Sequence, residues 1–298
     1  MEAPTEGVKG MYRDLEANGR ADGDGGGLSK RTVRYVHTIL QKALDDAVKQ
    51  GLIRFNPARM TEPPKAKDAA PPEMHTWTED QLKAFRSWCS APVTDGGLLG
   101  RAELAVAWTL LAMTGIRRGE ALALKWSDVD FDAPTITVRR SVGVLHVHGE
   151  PERLLVGPTK GRRARMIELD PGTLAALRAH RRDLSGIDLS LARNEALVLG
   201  RATGEHQHPE RFSRRFRETV AAARRELGDE ALPVIRLHDL RHTHATLLLK
   251  NKVPIQVVSE RLGYASASIT LNYYAHVQPT MQADAANLLG ALIFGASS

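Results

Sequence analysis

Strand-forming patterns are confined to one short part of this chain, and helical periodicity dominates on both sides of it. The candidate strands are Thr135–Arg140, Leu154–Thr159 and Ala164–Leu169, where β-branched and apolar residues cluster between turn residues. The last two are predicted to pair as a hairpin across the intervening KGRR, whose glycine suits a tight turn. The chain is therefore predicted to be mainly α with a small antiparallel β-sheet, an α+β fold.

Apolar residues recur at helical spacing through most of the remaining sequence. Ser29 is a suitable N-cap for a helix that runs to about Gln50. The segment Glu103–Met113 is apolar nearly all round, which predicts a buried helix. Further helices are predicted over Met11–Ala17, Thr173–His180, Pro209–Leu227, Asp239–Asn251, Ile255–Leu262 and Ala267–His276, with a final amphipathic helix from Met281 to Leu292.

A segment dense in proline and alanine, Asn56–Pro72, separates two parts of the chain. It lacks an apolar period, so it is predicted to be an extended linker. At 298 residues the chain is long enough for about two domains. We therefore predict a small helical domain at 1–62, a linker at 63–74 and a larger domain at 75–298, whose first helix is capped by Thr78.

The chain is basic, with a formal net charge of +6 and an isoelectric point near 9.5. Basic side chains bind polyanions by displacing counterions, which favours nucleic acid as a partner, although a solvated cationic surface also explains the charge. A single cysteine, Cys89, excludes a disulfide framework and fits a reducing cytoplasm. No apolar run is long enough to span a bilayer and no secretory signal is evident, so a cytoplasmic protein without membrane contact is predicted.

Side chains suited to a phosphate are concentrated in the last quarter of the chain. His238 and Arg241 in LHDLRH share one face at the start of a helix, and Tyr273 and Tyr274 follow in NYYAH. Attack on a phosphodiester needs a nucleophile, fixed cations for the charge on the phosphate oxygens and a proton for the leaving oxygen. A tyrosine, an arginine and a histidine can supply these, although for His238 alone a histidine satisfied within the fold is the simpler interpretation.

Two further basic residues of interest lie outside that quarter. Arg117, in TGIRRGEAL, follows a buried helix and can bind a phosphate with two parallel hydrogen bonds, while Glu120 can reach back to an arginine on the same face. Lys160 is predicted at the tip of the KGRR hairpin, where a long ammonium side chain can swing towards DNA. An arginine beside a glycine and a surface lysine are both common without a function, so these two depend on wider context.

The histidines do not form a recognisable metal site. Although the chain has 11 histidines, none shows an i, i+4 pair with a third ligand, as a zinc site would need. We therefore expect neither a metal nor a cofactor.

Four blocks of the sequence, in order, resemble the signature blocks of the tyrosine recombinase (phage integrase) family. They are TGIRRGEAL, PTKGRRARMIEL, LHDLRHTHATLLL and LGYASASITLNYYAHV. The resemblance spans about Glu73 to His276, and GLSKRTVRYVHTILQKALDDAV followed by FNPA is similar to the end of the family's core-binding domain. It implies the tyrosine recombinase catalytic fold preceded by a partial helical core-binding domain, with weaker DNA affinity expected because earlier core-binding helices are missing.

The resemblance assigns roles to the basic residues. Arg117 and Arg241 match the two catalytic arginines, and His238 is the histidine of the H-x-x-R motif, where it would assist proton transfer. Lys160 matches the lysine of the β-hairpin, the implied proton donor to the leaving oxygen. The basic residues expected to contact DNA are Lys30, Arg31, Arg34, Arg162 and Arg163.

The resemblance also ranks the tyrosines. Tyr274 matches the nucleophile because it begins the family's Y-x-H ending, and Tyr273 is the alternative. Tyr264 departs from the family, which usually has histidine or tryptophan after Leu-Gly. A phenol can donate one hydrogen bond to a phosphate oxygen but is not a cationic donor near neutral pH, so reduced activity is expected.

The chemistry that the resemblance implies is transesterification through a 3'-phosphotyrosyl intermediate, which needs neither ATP nor a metal because the bond energy is kept in the covalent link. The implied function is a site-specific recombinase that integrates or excises a mobile element. It would act as a homo-tetramer on paired double-stranded DNA sites, with an accessory directionality factor. The alternatives are a catalytically impaired DNA-binding remnant or regulator, a chromosome-resolution recombinase, and an enzyme that only relaxes supercoils.

Overall fold

A computed structural model describes residues 4–20, 25–69, 74–91, 101–147, 149–159 and 164–264, together with residues 286, 287, 289, 291 and 293. The chain divides into two compact units, Met1–Glu73 and Met74–Ser298, and each is described by itself. The helix predicted at Ala267–His276 and most of the helix predicted from Met281 lie outside the described residues. No helix among the described residues is long and apolar enough to cross a membrane.

The amino-terminal unit is built on two helices, α1 (Pro4–Asn18) and α2 (Lys30–Lys49). The predicted N-cap of α2 is confirmed, since the Ser29 hydroxyl accepts a hydrogen bond of 3.2 Å from the amide of Thr32. The helices meet where the Tyr12 ring packs edge-on against His37, with centroids 5.7 Å apart. Val33 is the only fully buried residue of α2, so the rest of this helix is at least partly exposed.

The proline-rich segment after α2 is folded and not extended, which corrects the expectation of an extended linker over its whole length. It forms 3-10 helices at Pro57–Met60 and Ala66–Ala69. The side-chain oxygen Oδ1 of Asn56 caps the first, accepting from the backbone amide of Ala58 at 2.9 Å, and its side-chain nitrogen Nδ2 donates to the Asp45 carboxylate on α2 at 2.7 Å. Prolines prevent a long regular helix but permit short capped turns. The Asn56 side chain then connects the first of these turns to α2.

The core of the carboxy-terminal unit is aromatic and lies between α3 (Glu79–Ser90), α4 (Arg101–Thr114) and α7 (Pro209–Leu227). The rings of Trp108 and Phe212 have centroids 4.9 Å apart. Every residue from Leu104 to Ala112 is buried, which confirms the prediction that this helix is covered on all sides. Thr78 caps α3 in a capping box with Gln81, as its position predicted.

Two small antiparallel sheets follow, which confirms the predicted fold class. The strands β1 (Val129–Asp130), β2 (Thr135–Val138) and β5 (Arg165–Glu168) form one sheet in the order β1-β2-β5. The strands β3 (Arg140–Leu145) and β4 (Arg153–Pro158) form the other. The predicted hairpin across KGRR is wrong, because β4 pairs with β3 and β5 pairs with β2.

The register explains why β4 and β5 do not form a hairpin. Val138 lies opposite Arg165, and Arg140 lies opposite Pro158, so β4 and β5 follow one another along the nearly continuous β2–β3 strand. Arg139 lies between these two pairings. Asp128 forms ion pairs with two neighbouring residues at this place, Arg140 and, at 3.3 Å, Arg139.

In the described ranges up to residue 264, the other α-helices are α5 (Arg118–Leu122), α6 (Pro171–Ile187), α8 (Asp239–Lys250) and α9 (Ile255–Leu262). The bounds of α7 and α9 agree with those predicted. The helix α6 is longer than its predicted span, because Asp170 caps it earlier and the later residue Leu184 packs against the core.

Candidate phosphate-binding site

Arg117 occupies the N-cap position of α5, immediately after the turn that ends α4. Gly115 makes this turn with φ +64°, in the left-handed region that glycine adopts without strain. A Cβ atom at Gly115 would lie 2.8 Å from His244 Cδ2 and 2.8 Å from Leu262 Cδ2. The turn that carries Arg117 is thus packed against α8 and α9, and it has room only for glycine.

Side chains of α8 and α9 bind the carbonyl groups at the end of α4. His244 Nδ1 lies 2.9 Å from the Ala112 oxygen, Arg261 Nη2 donates to the Met113 oxygen at 3.3 Å and Arg241 Nη1 donates to the Gly115 oxygen at 2.6 Å. The last carbonyls of a helix have no partner within the helix and carry its negative dipole end. Cationic and polar donors therefore join three distant parts of the chain here.

Arg241 is nearly fully buried, at 2% exposure. Its Nη2 atom donates to the Leu262 carbonyl at 2.7 Å, so both terminal nitrogens bind backbone oxygens. Burial lowers the pKa of Arg241, an effect that the nearby positive charge of Arg117 reinforces. The guanidinium stays charged, because even a lowered arginine pKa lies far above neutral pH.

The Tyr264 ring lies close to both arginines. Its ring centroid is 4.7 Å from the Arg241 guanidinium carbon and 5.9 Å from that of Arg117. A ring face attracts cations, so the phenyl group reduces the repulsion between two neighbouring positive charges. Tyr264 also packs against the small apolar cluster of α8 and α9, which includes Leu249 and Val258.

A buried carboxylate, Glu120, orients Arg117. Arg117 Nη1 donates to Glu120 Oε1 at 3.0 Å, which confirms that Glu120 reaches back to this arginine. Arg165 at the start of β5 donates two further hydrogen bonds to the same carboxylate, at 3.0 and 2.6 Å. Burial acts to raise the pKa of Glu120, but the hydrogen bonds and charges of Arg165 and Arg117 outweigh it, and the net effect is a lowered pKa. Glu120 is therefore ionised.

His238 begins α8 beside this group of charges. Partial desolvation, then the charges of His242 and Arg241, lower the pKa of His238 to about 4, against the opposing effect of Asp239. The His238 side chain is exposed on the surface, so solvent moderates the shift. The direction leaves the imidazole neutral near pH 7, where it can accept a proton or a hydrogen bond.

The profile of the phage integrase family matches residues 78–281, which is more than half of the chain. This range contains Arg117, Arg241, His238 and Tyr264, together with the candidate nucleophiles Tyr273 and Tyr274. The chain is a member of the phage integrase family of tyrosine recombinases.

Individual relatives agree with this assignment. A tyrosine recombinase described as XerC-like from Caldanaerobacter subterraneus subsp. tengcongensis is 26% identical, over 89% of this chain and 67% of its own length. The ICEBs1 integrase of Bacillus subtilis is 26% identical, over 90% of this chain and 67% of its own length. The chain thus spans about two thirds of these relatives.

A solved structure shares the fold. The Tn1549 transposon integrase in complex with circular intermediate DNA superimposes with a TM-score of 0.71 at 21% identity, covering 95% of this chain and 84% of the other. The recombinase fold predicted from the four sequence blocks is therefore confirmed.

The structure brings together four of the six residues predicted to be catalytic in this recombinase. Arg117, Arg241 and Tyr264 are in contact, and His238 lies within electrostatic reach of both arginines. Lys160, Tyr274 and the alternative Tyr273 lie outside the described residues, as do Arg162 and Arg163. Among the described residues, no group of three or more histidine, cysteine or acidic side chains is arranged to hold a metal ion.

The basic residues predicted to bind DNA on α2 have partners within the amino-terminal unit. Lys30 pairs with Asp68 at 3.5 Å, Arg34 donates to the Pro64 carbonyl at 2.5 Å, and Arg31 donates to the Tyr35 hydroxyl at 3.4 Å. Lys30 and Arg34 therefore hold the proline-rich segment in place, a role that the charge pattern alone did not indicate.

The sequence interpretation did not assign roles to Arg165, His244 or Arg261 of this recombinase. Arg165 is the first residue of an apolar strand, where an arginine needs an acidic partner, so its position in the sequence could have indicated a buried ion pair. His244 and Arg261 act on carbonyl groups more than a hundred residues away in the sequence, at Ala112 and Met113. No local pattern indicates such contacts.

Gly115→Ala is expected to destabilise the recombinase by about 2–4 kcal/mol, combining a left-handed backbone penalty with overpacking. Thermal unfolding would measure the change. Gly143→Ala in β3 is the matched control, because nothing lies within 4 Å of a Cβ atom there. It is expected to change stability by less than about 1 kcal/mol. Equal effects of the two substitutions would contradict the tight packing at Gly115.

The stability of the recombinase is expected to fall as the pH is lowered from about 6.5 to about 5. The pKa values of His238 and His244 are lowered from 6.5 to about 4, so in this window the unfolded chain binds protons that the folded chain does not. Their contribution is fully present above pH 6.5 and is lost as the pH falls through about 4. Urea unfolding at several pH values would measure the slope, which His244→Asn should reduce. An unchanged slope in this variant would contradict the prediction.

Proposed function

We propose that this recombinase cuts and rejoins double-stranded DNA at specific sites, for the integration or excision of a mobile element. The observation that carries the proposal is that two guanidinium groups, those of Arg241 and Arg117, lie over the Tyr264 ring, at 4.7 and 5.9 Å from its centroid. Two like charges held near one another repel, which destabilises the folded state. A bound anion such as a DNA phosphate offsets this repulsion.

Arg117 is the more accessible of the two cations. Its side chain is 28% exposed, whereas Arg241 is 2% exposed. The carboxylate of Glu120 and the carbonyl of Gly115 orient the two guanidinium groups before DNA arrives. Fixed donors of this kind stabilise charge that develops on the phosphate without reorganising during the reaction.

The proposed reaction is a balanced transesterification. The hydroxyl oxygen of Tyr274 attacks the scissile phosphorus, a bond forms between them, and the bond from phosphorus to the 5' oxygen breaks. His238, neutral near pH 7, assists removal of the tyrosine proton, and Lys160 donates a proton to the leaving oxygen. The free 5'-hydroxyl of another strand then attacks the phosphotyrosine, releases Tyr274 and completes strand exchange.

The amino-terminal unit is proposed to bind DNA, and the carboxy-terminal unit is proposed to bind and cleave it. We assign residues 1–62 to a partial core-binding domain, 63–74 to a linker and 75–298 to the catalytic domain. Lys30, Arg31 and Arg34, with Arg162 and Arg163, are proposed to contact phosphates. For Lys30 and Arg34 this means exchanging or sharing their present partners Asp68 and Pro64.

The proposed assembly is a homo-tetramer on two paired DNA sites, and an accessory directionality factor would decide between integration and excision. Recombination of two duplexes cuts and rejoins four strands, and one nucleophile for each strand requires four protomers. The DNA substrate places the protein in the compartment that holds the DNA, which fits the cytoplasmic location predicted from the sequence.

A DNA-binding protein that does not cut is the second candidate, and Tyr264 favours it. Its ring lies 4.7 Å from the Arg241 guanidinium carbon, and its phenol cannot supply the positive charge of a protonated histidine near neutral pH. In this case the arginines would hold a phosphate without cleavage.

Covalent trapping distinguishes these functions. The native chain would be incubated with a pool of nicked duplexes of randomised sequence, in which the short strand next to the nick diffuses away after cleavage and prevents religation. We expect adducts that survive denaturation and share a recovered consensus sequence. Retention of DNA in a native gel without any such adduct would contradict the proposal. Adducts without a consensus, together with relaxation of supercoiled plasmid, would instead show an enzyme that only relaxes DNA.

A further inference from the structure

His244 lies one turn after Arg241 on α8 and is buried, with 7% exposure. It fills the space beside the turn that carries Arg117, since a Cβ atom at Gly115 would lie only 2.8 Å from His244 Cδ2. The proposed chemistry does not use this imidazole.

The hydrogen bond of His244 defines its tautomer. Nδ1 lies 2.9 Å from the Ala112 carbonyl oxygen, which can only accept, so the proton is on Nδ1. Burial, and then the charge of Arg261, lower the pKa of His244 to about 4, against the opposing effect of the Ala112 hydrogen bond. Nε2 is buried without a hydrogen-bond partner among the described residues. His244 therefore acts here through one atom, the Nδ1–H donor.

That donor and Arg241 hold the same turn at two points. His244 binds the Ala112 oxygen and Arg241 Nη1 binds the Gly115 oxygen, and both side chains come from α8. Arg117 follows Gly115 by two residues. Where a phosphate binds the donors of Arg241, as the proposed function requires, the His244 bond to the Ala112 oxygen remains as a contact between this turn and α8.

We propose that His244 is a positioning residue that sets the spacing of Arg117 and Arg241 for the scissile phosphate, through its Nδ1 hydrogen bond to the Ala112 carbonyl. This inference rests on the proposed function, because the spacing matters only where the arginines bind a phosphate under attack. The residue touches neither DNA nor the nucleophile. Misplacement of a reacting group by about 1 Å costs on the order of a hundredfold in rate, so the contact has a measurable consequence.

Two amide substitutions separate the role of Nδ1 from that of the ring. The side-chain nitrogen of asparagine can occupy the place of Nδ1, whereas that of glutamine reaches the place of Nε2. His244→Asn therefore keeps the donor to Ala112, and His244→Gln loses it, although both are neutral amides. The experiment measures the rate of adduct formation on a nicked duplex at saturating DNA, the Kd for that duplex, and thermal unfolding.

We expect His244→Asn to react within about threefold of the native rate and His244→Gln to react at least about tenfold more slowly, each with a Kd within about threefold of the native value. Equal rates in the two variants, or equal loss of cooperative unfolding, would overturn the positioning role and leave only packing. The native chain separates this result from the proposed function. If it forms no adduct, the proposed function fails and the positioning role fails with it, whereas a native adduct with equal variant rates overturns the positioning role alone.

Discussion

Tyr274→Phe is expected to abolish the covalent DNA adduct completely and to leave DNA binding within about twofold of the native Kd. Phenylalanine lacks the hydroxyl oxygen that forms the bond to phosphorus, and no other group can replace a nucleophile. Adducts would be measured on a nicked duplex after denaturation, and binding would be measured by gel shift on the intact duplex.

Tyr273→Phe is the matched control for this prediction, because it removes the same hydroxyl from the adjacent residue. The sequence predicts a helix over Ala267–His276, and neighbouring positions of a helix point about 100° apart, so we expect only one of the two tyrosines to face the phosphate. We expect Tyr273→Phe to retain at least about a third of the native rate of adduct formation. The opposite pattern, with adducts from Tyr274→Phe and none from Tyr273→Phe, would assign the nucleophile to Tyr273.

Glu120→Gln is expected to destabilise the fold by about 3–5 kcal/mol, which lowers the Tm by about 10 °C or more for a unit of this size. The carboxylate is 1% exposed and binds Arg165, which is 13% exposed, as well as Arg117. The substitution leaves two partly buried guanidinium groups without a counter-charge. It is also expected to slow adduct formation, because Arg117 loses the group that orients it.

Glu195→Gln is the control for the second prediction. Glu195 also pairs with a basic side chain, Lys125, at 2.7 Å, but it is 78% exposed. Exposed ion pairs contribute about 0–1 kcal/mol, so this variant should unfold close to the native temperature. Similar decreases in Tm in both variants would show that the buried carboxylate of Glu120 does not stabilise the fold more than an exposed one.

The pairing of the strands shows where local patterns are insufficient. The segments from Leu154 and from Ala164 have the right composition for strands, and both form strands. Their partners, however, are β3 and β2, because the chain between Thr135 and Leu145 supplies two strands almost without a break. Strand composition is a local property, whereas the choice of partner depends on which backbone groups elsewhere are unpaired.

The candidate site divides in the same way. Arg117, His238 and Arg241 were predicted from motifs in which close spacing defines one face of a helix or the start of a turn. Arg165 was missed as a partner of Glu120, although the two form a pair at 2.6 Å, because 45 residues separate them. A contact of this kind depends on packing between β5 and the turn before α5.

By itself, the sequence determined the fold class, the buried helix α4, the caps at Ser29 and Thr78, and the family. Each follows from residue types at short, regular spacing, which constrain backbone geometry and chemistry directly. Only the tertiary structure decided that His244, Arg261 and Arg241 bind the carbonyl end of α4, and that Glu120 joins Arg117 to Arg165. These contacts form because buried carbonyl groups and buried charges need hydrogen-bond partners. The partners come from parts of the chain that are far apart in sequence and become neighbours only in the folded structure.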